Sequence, residues 1–155
     1  MGYSKNLAYK WQLFLESEDI EYDFDSEKGR FIIPDIIMHN KLKSVAMCIM
    51  CDESDFRIMC GFDQSVPQQN RDEMAILMTR INAYLYFGSF YLDISNGNMG
   101  FSYAVDFEGG IASTKMLENA LGIVLAGVNN WADAIMDVCE GRLRGTTAYL
   151  KYNKP

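Results

Sequence analysis

"INAYLYFGSFYLDISNGNMGFSY" (residues 81–103) decides how the whole chain is read. Its Asn82, Asp93, Asn96 and Asn98 look like a polar site, while its glycines look like punctuation between elements. The second reading accounts for more of the residues. Gly88 suits the position that ends a helix, because glycine accepts φ > 0 at C′. Asn96-Gly97 suits a two-residue hairpin turn in which both residues need φ > 0. With that turn, Ile94 faces Met99, Leu92 faces Phe101 and Phe90 faces Tyr103, all on one side, as cross-strand packing requires. Asp93 then meets Gly100 on the other side, beside Tyr91 and Ser102. The stretch is a helix handing over to a hairpin. Asn82 is the polar residue that this grammar does not use. Its amide is expected to tie the helix to a neighbouring backbone.

Upstream, "SVPQQNRDEMAILMTRINAYLYF" (65–87) opens with turn residues and becomes helical. Met74, Leu77, Met78, Ile81 and Leu85 make one apolar stripe, and Ile76, Ala83 and Phe87 lie off it. A helix that is apolar on more than one side is covered on more than one side. Its own sheet supplies one cover, and the expected second cover is another subunit. Further back, Leu7, Trp11, Phe14 and Leu15 recur at helical spacing within Tyr3–Asp19. Between these helices lie "YDFD", "RFIIPDIIMH", "SVAMCIMC" and "DFRIMCGF", four strands bounded by turn residues. Pro34 has no N–H for a ladder, so its strand lies at an edge or carries a bulge. Phe56, Ile58, Cys60 and Phe62 share one face of the last of these strands, and Arg57, Met59 and Gly61 the other.

Downstream, Ser113 or Thr114 caps a long helix that runs to about Glu140, with Gly141 as its stop. The order is α-β-β-β-β-α-β-β-α. Connections this short demand antiparallel pairing. The fold class is α+β, an antiparallel sheet of about five to six strands with helices packed on it. Residues 3–141 read as one unit, and 142–155 as a tail that adds a short strand or hangs free.

Composition narrows the function. The chain has 155 residues, 49% hydrophobic and 23% charged, with a formal net charge of -7. Nucleic acids and anionic membranes bind through clustered Lys and Arg, which this chain lacks. No signal-like start and no membrane-length apolar run is present, and the four cysteines are free of a secretory context, so a cytoplasmic location is expected. Cys48 and Cys51 form a C-x-x-C inside a strand, where odd separation sends them to opposite faces. That suits packing and not zinc. His39, the lone histidine, sits in a turn without a nucleophile. Asp93 does not open a calcium loop, because Asn98 stands where the glycine belongs and Ala104 where the glutamate belongs. Glu16, Glu18, Asp19, Glu21, Asp23 and Asp25 read as a solvated acidic rim. No catalytic residue, cofactor site or metal site is expected.

Three pieces together resemble the YbjN family of bacterial sensory-transduction regulators: "VP" (66–67), "INAYLYFGSFYLDISNGNMGFSYAVDF" (81–107) and "TKMLENALGIVLAGVNNWADAIMDV" (114–138). Asn82, Gly88, Phe90, Asp93, Gly97 and Phe101 fit the family's helix-to-hairpin pattern, and the resemblance spans about residues 5–140. It implies a fold similar to the class I type III secretion chaperones, often a homodimer, and binding of an unfolded partner segment. It brings no catalytic residues with it. The expected function is a non-enzymatic protein-binding module acting through apolar surface and a strand edge, with Met74, Leu77, Met78, Ile81 and Leu85 at the partner or dimer contact. The alternative is a small-molecule regulatory module with a pocket between the last helix and the sheet, near Tyr103, Asn129 and Asn130.

Overall fold

Ser4 accepts a hydrogen bond from the Leu7 amide at 3.1 Å and so starts α1 (Lys5–Ser17), whose Leu7, Ala8, Trp11, Phe14 and Leu15 are all buried. The computed structural model describes residues 2–108 and 110–154. After α1 come β1 (Asp23–Asp25), β2 (Arg30–Ile37), β3 (Ser44–Cys51) and β4 (Asp55–Phe62). A 3₁₀ turn at Gln68–Asn70 leads into α2 (Arg71–Asn82), followed by β5 (Ser89–Leu92), β6 (Met99–Asp106), α3 (Thr114–Cys139) and α4 (Gly145–Tyr152). The strands form one six-stranded antiparallel sheet in the order β1-β2-β3-β4-β6-β5. This is the α+β class expected, with the expected order intact through α3.

The sheet is covered on one face. Val45, Met47, Ile49, Phe56, Ile58, Cys60 and Phe101 point into the core, and Trp11 of α1 meets Phe56 edge-on at 5.3 Å between ring centroids. Alternation leaves Ile32, Arg57 and Ala104 on the exposed opposite face. Pro34 sits where the β2–β3 register shifts, between Ile33 and Ile36, and β1 pairs only as far as Ile32, so the missing N–H disturbs no ladder.

Three sequence expectations change. The hairpin is two residues out of the expected register: Phe90 faces Phe101, Leu92 faces Met99 and Tyr91 faces Gly100. A shift of two keeps every side chain on its face. The connection is longer than a two-residue turn because the Asp93 carboxylate accepts from the Ser95 amide at 2.9 Å and the Asp93 carbonyl from the Gly97 amide at 2.7 Å, closing a wider loop. Second, α2 stops at Asn82, and 83–87 run through turns, so Leu85 and Phe87 leave the helix. Gly88 (φ +72°) therefore serves the entry to β5 and not a helix end. A Cβ there would lie 2.5 Å from the Phe101 ring. Third, the tail is neither strand nor free: residues 145–152 are α4, packed on α2 and α3.

Candidate functional site

β5 is shorter than β6, and the mismatch leaves an edge. Pairing between them ends at Ser89 and Ser102, so Tyr103–Asp106 have β4 on one side and no strand on the other among the described residues. Three bonds set which backbone groups are free. The Phe107 amide donates to Ser54 at 2.9 Å on the β4 side. The Phe90 amide and carbonyl both turn away from β6 to bond Asn82. In an antiparallel ladder the bonding direction alternates along the strand. Odd-numbered residues of β6 therefore bond β4, and the amides and carbonyls of Ala104 and Asp106 point outward at exposed positions.

Beside this edge runs a groove of about 890 Å³. Tyr103 and Val105 form its floor, and Met116 and Ile123 of α3 form one wall. Phe87 lies over Tyr103 with ring centroids 5.9 Å apart. Phe87, which lines the groove, is 55% exposed, and Tyr84 and Tyr86 just before it in the chain are 77% and 96% exposed. Large apolar patches of this kind mark interaction surfaces. Ser113, Lys115, Glu118 and Asn119 supply the polar end, where Lys115 and Glu118 pair at 3.1 Å.

The residues expected at a partner contact lie elsewhere. Met74, Leu77, Met78 and Ile81 are 0–3% exposed, inside the chain's own core, and Leu85 is only partly buried outside the helix. α4 packs along the Glu73–Leu77–Arg80 side of α2: Arg144 pairs with Glu73 at 3.0 Å and Arg80 stands over the Tyr149 ring at 5.7 Å. The off-stripe residues Ile76, Ala83 and Phe87, which suggested a second covered side, are exposed. Asn82 makes a two-bond clamp, its amide donating to the Phe90 carbonyl and its oxygen accepting from the Phe90 amide, both at 2.9 Å. Asn96 accepts from the Asn98 amide at 2.8 Å. Gly97 (φ +81°) lies so close to Val66 that a Cβ would stand 2.3 Å from its carbonyl oxygen. Of the alternative pocket's residues, Tyr103 lines the groove. Asn129 instead bonds Asn40 at 3.0 Å, and Asn130 is exposed outside the groove.

Cys51 and Cys60 point inward, and burial pushes both thiols up to about 12. Cys48 faces the open side of the sheet, opposite to Cys51. No group of three or more His, Cys, Asp or Glu among the described residues is placed to hold a metal ion. His39 is exposed. Met116, Ile123 and Val105 were not singled out from sequence. For Met116 and Ile123 the signal was the apolar excess of the last helix beyond its inward stripe; Val105 belongs to β6.

Comparison with known proteins follows the fold closely. A family model, "YbjN: Putative bacterial sensory transduction regulator", matches residues 12–136. No curated protein matches the chain. Among solved structures, YbjN of E. coli is similar with a TM-score of 0.61 at 11% identity, over 86% of this chain and 90% of that one. A chain of the ExsC–ExsE complex is similar with a TM-score of 0.52 at 11% identity, over 84% and 94%. A chain of the HopA1–SchA chaperone–effector complex has a TM-score of 0.49 at 21% identity, over 81% and 94%. The fold is type III secretion chaperone-like, as the sequence resemblance implied.

Proposed function

The chain belongs to the YbjN family, and from that premise we propose that it is a non-enzymatic, cytoplasmic protein-binding module that accepts an extended segment of a partner along β6. The observation that carries this reading is the free edge at Ala104 and Asp106 lying directly beside the apolar groove. A strand added there gains main-chain hydrogen bonds from the edge, and every second side chain drops into the groove against Tyr103 and Ile123. The exposed Phe87, stacked near Tyr103 in the groove, extends the contact, and such side chains dominate binding energy when desolvated. The ExsC–ExsE neighbour, itself a complex of two proteins, is consistent with this use of the fold.

A peptide-display selection on the intact chain tests it. Binders should alternate apolar and polar residues. Ile123→Asp, which puts a charge in the groove, and Ala104→Pro, which removes an outward N–H, should each weaken binding by roughly tenfold or more. Binders unaffected by both substitutions would refute the edge reading. The same edge suits a second copy of the chain, since antiparallel edges pair about a twofold axis. Light scattering at tens of micromolar, with Ala104→Pro beside the wild type, reads that outcome.

The groove also lies between the last long helix and the sheet, where a regulatory small molecule would sit. Tyr103, Ser113 and Asn119 are its convergent polar groups. Saturable thermal stabilisation by a metabolite, abolished by Ile123→Asp, favours this second reading.

A further inference from the structure

Lys28, Arg30 and Arg57 come from separate parts of the sequence and meet around one cavity of about 280 Å³. Register explains the meeting. Arg30 faces Met50 and Met50 faces Arg57, so the three side chains form one row across β2, β3 and β4, on the sheet face opposite the core. The two arginine Cα atoms then stand about two strand spacings apart, roughly 10 Å. Met50 lies between them as the floor. Both guanidiniums are long enough to reach an ion lying over it. Lys28 arrives from the β1–β2 turn, where it also pairs with Asp25 at 3.8 Å.

The chain has six arginines, and four of them have partners. Arg71 donates to the carbonyls of Val66, Ile94 and Ser95, Arg80 stands over the Tyr149 ring, Arg142 pairs with Asp137 and Arg144 with Glu73. Arg30 and Arg57 have no ion-pair or cation–π partner among the described residues, and both line this cavity. Cations gathered without an anion between them repel, and a ligand of opposite charge relieves that cost. The walls are already tied together. The Tyr3 hydroxyl donates to the Ser26 carbonyl at 2.8 Å, the Ser4 amide to the Asp52 carbonyl at 3.1 Å and the Cys51 amide to the Gly29 carbonyl at 2.9 Å. A site braced in this way gives up less on binding.

We propose that this cavity binds a small phosphate monoester that carries hydroxyl groups. Arg30 and Arg57 hold the phosphate from opposite sides, and Lys28 adds a third positive charge from the turn. Donors from three directions suit a tetrahedral oxyanion, whereas one guanidinium already satisfies a planar carboxylate. Asp52 and Asp55 line the same cavity. Beside a bare anion they only repel; beside a hydroxylated ester they accept hydrogen bonds from its hydroxyls. The volume lies just under the usual ligand-pocket range of about 300–1,000 Å³, which limits the ligand to a few carbons. The cavity opens on the other side of the sheet from the groove beside β6, and its role does not rest on the protein-binding reading.

Amide NMR spectra of the full chain, titrated with glycerol 3-phosphate, test the site. At about pH 7.5 the ester is a dianion, and constant ionic strength keeps screening equal throughout. Shifts at 28–30 and 50–57 should saturate. Arg30→Gln and Arg57→Gln should each weaken binding by about tenfold or more. Both residues are exposed, so each variant should melt like wild type without ligand. Inorganic phosphate and succinate should both bind more weakly than the ester. Asp55→Asn should bind inorganic phosphate at least as tightly as wild type and lose the preference for the ester. Shifts that rise linearly without saturating overturn the site, as does an equal loss of binding in Arg80→Gln, which lies outside it. Inorganic phosphate or succinate binding as tightly as the ester overturns the ligand class. Ile123→Asp should leave the titration unchanged, so failure here and failure of the β6 groove are read separately.

Discussion

Asn82 is polar in an apolar stripe because it has two backbone groups to satisfy. Phe90 is the second residue of β5, and its amide and carbonyl face away from β6 with no strand beyond them among the described residues. One carboxamide, with both a donor and an acceptor, closes that gap. Asn82→Ala should therefore lower stability by about 1–3 kcal/mol, the cost of stranding partly buried backbone groups, while selected peptides still bind. Unchanged melting with lost binding would show that Asn82 belongs to the contact surface. The need for a backbone tie was legible from a lone Asn among apolar neighbours, but the partner, Phe90, was not, since no spacing rule specifies it.

Asp137 makes a different residue-scale prediction. Burial pushes its carboxyl up, but the hydrogen bonds from Lys41, Tyr152 and Arg142 outweigh that, and it is held at about 2, below the ordinary 3.8. A depressed carboxylate stabilises the fold above its unfolded pKa, and the benefit is lost as pH falls through the folded value. At about 1.4 kcal/mol per pKa unit the contribution is on the order of 2 kcal/mol. Melting temperature should drop more steeply between about pH 4 and pH 2 in wild type than in Asp137→Asn, which lacks that titration. Parallel acid limbs would show that the carboxylate contributes no such term. Nothing in the sequence marked Asp137, because Lys41 is 96 residues away along the chain and Arg142 reaches back across the turn after α3, so only the fold brings them to one carboxylate.

At the scale of elements, the hairpin shows what local patterning can and cannot do. Alternation identified both strands and their inward faces, and a shift of two residues leaves those faces unchanged. Register depended on the loop, where Asp93 captures Ser95 and Gly97 packs on Val66. The Gly97 contact is tertiary, so Asn-Gly alone misidentified the turn. Gly97→Ala should cost more than about 1 kcal/mol, through both positive φ and the 2.3 Å approach to the Val66 carbonyl, measured by chemical denaturation. A neutral substitution would mean that the loop relaxes freely. α4 was missed for a related reason. "GTTAYLKY" has weak helical character by itself, and its helix exists where Gly145 can approach α2 and Tyr149 can stack on Trp131.

For the whole molecule, the decisive difference is what covers α2. Met78→Glu would split a dimer if the stripe were a subunit contact. With Met78 3% exposed in the monomer's own core, it should instead destabilise the fold by more than about 3 kcal/mol, seen as a large fall in melting temperature. A variant that stays as stable as wild type and changes only its mass would place the stripe outside. The α+β class, the element order through α3 and the inward faces of the strands were settled by periodicity and turn residues, because those signals are local and each residue carries its part of them. The expectation of a second cover for α2 rested on Ile76, Ala83 and Phe87, which are exposed. The sequence could not say that α4 packs beside Glu73 and Arg80 of α2, nor that β6 outruns β5 to leave an edge beside α3. Those depend on lengths and approaches between segments far apart in the chain, which form only when the whole fold brings them together.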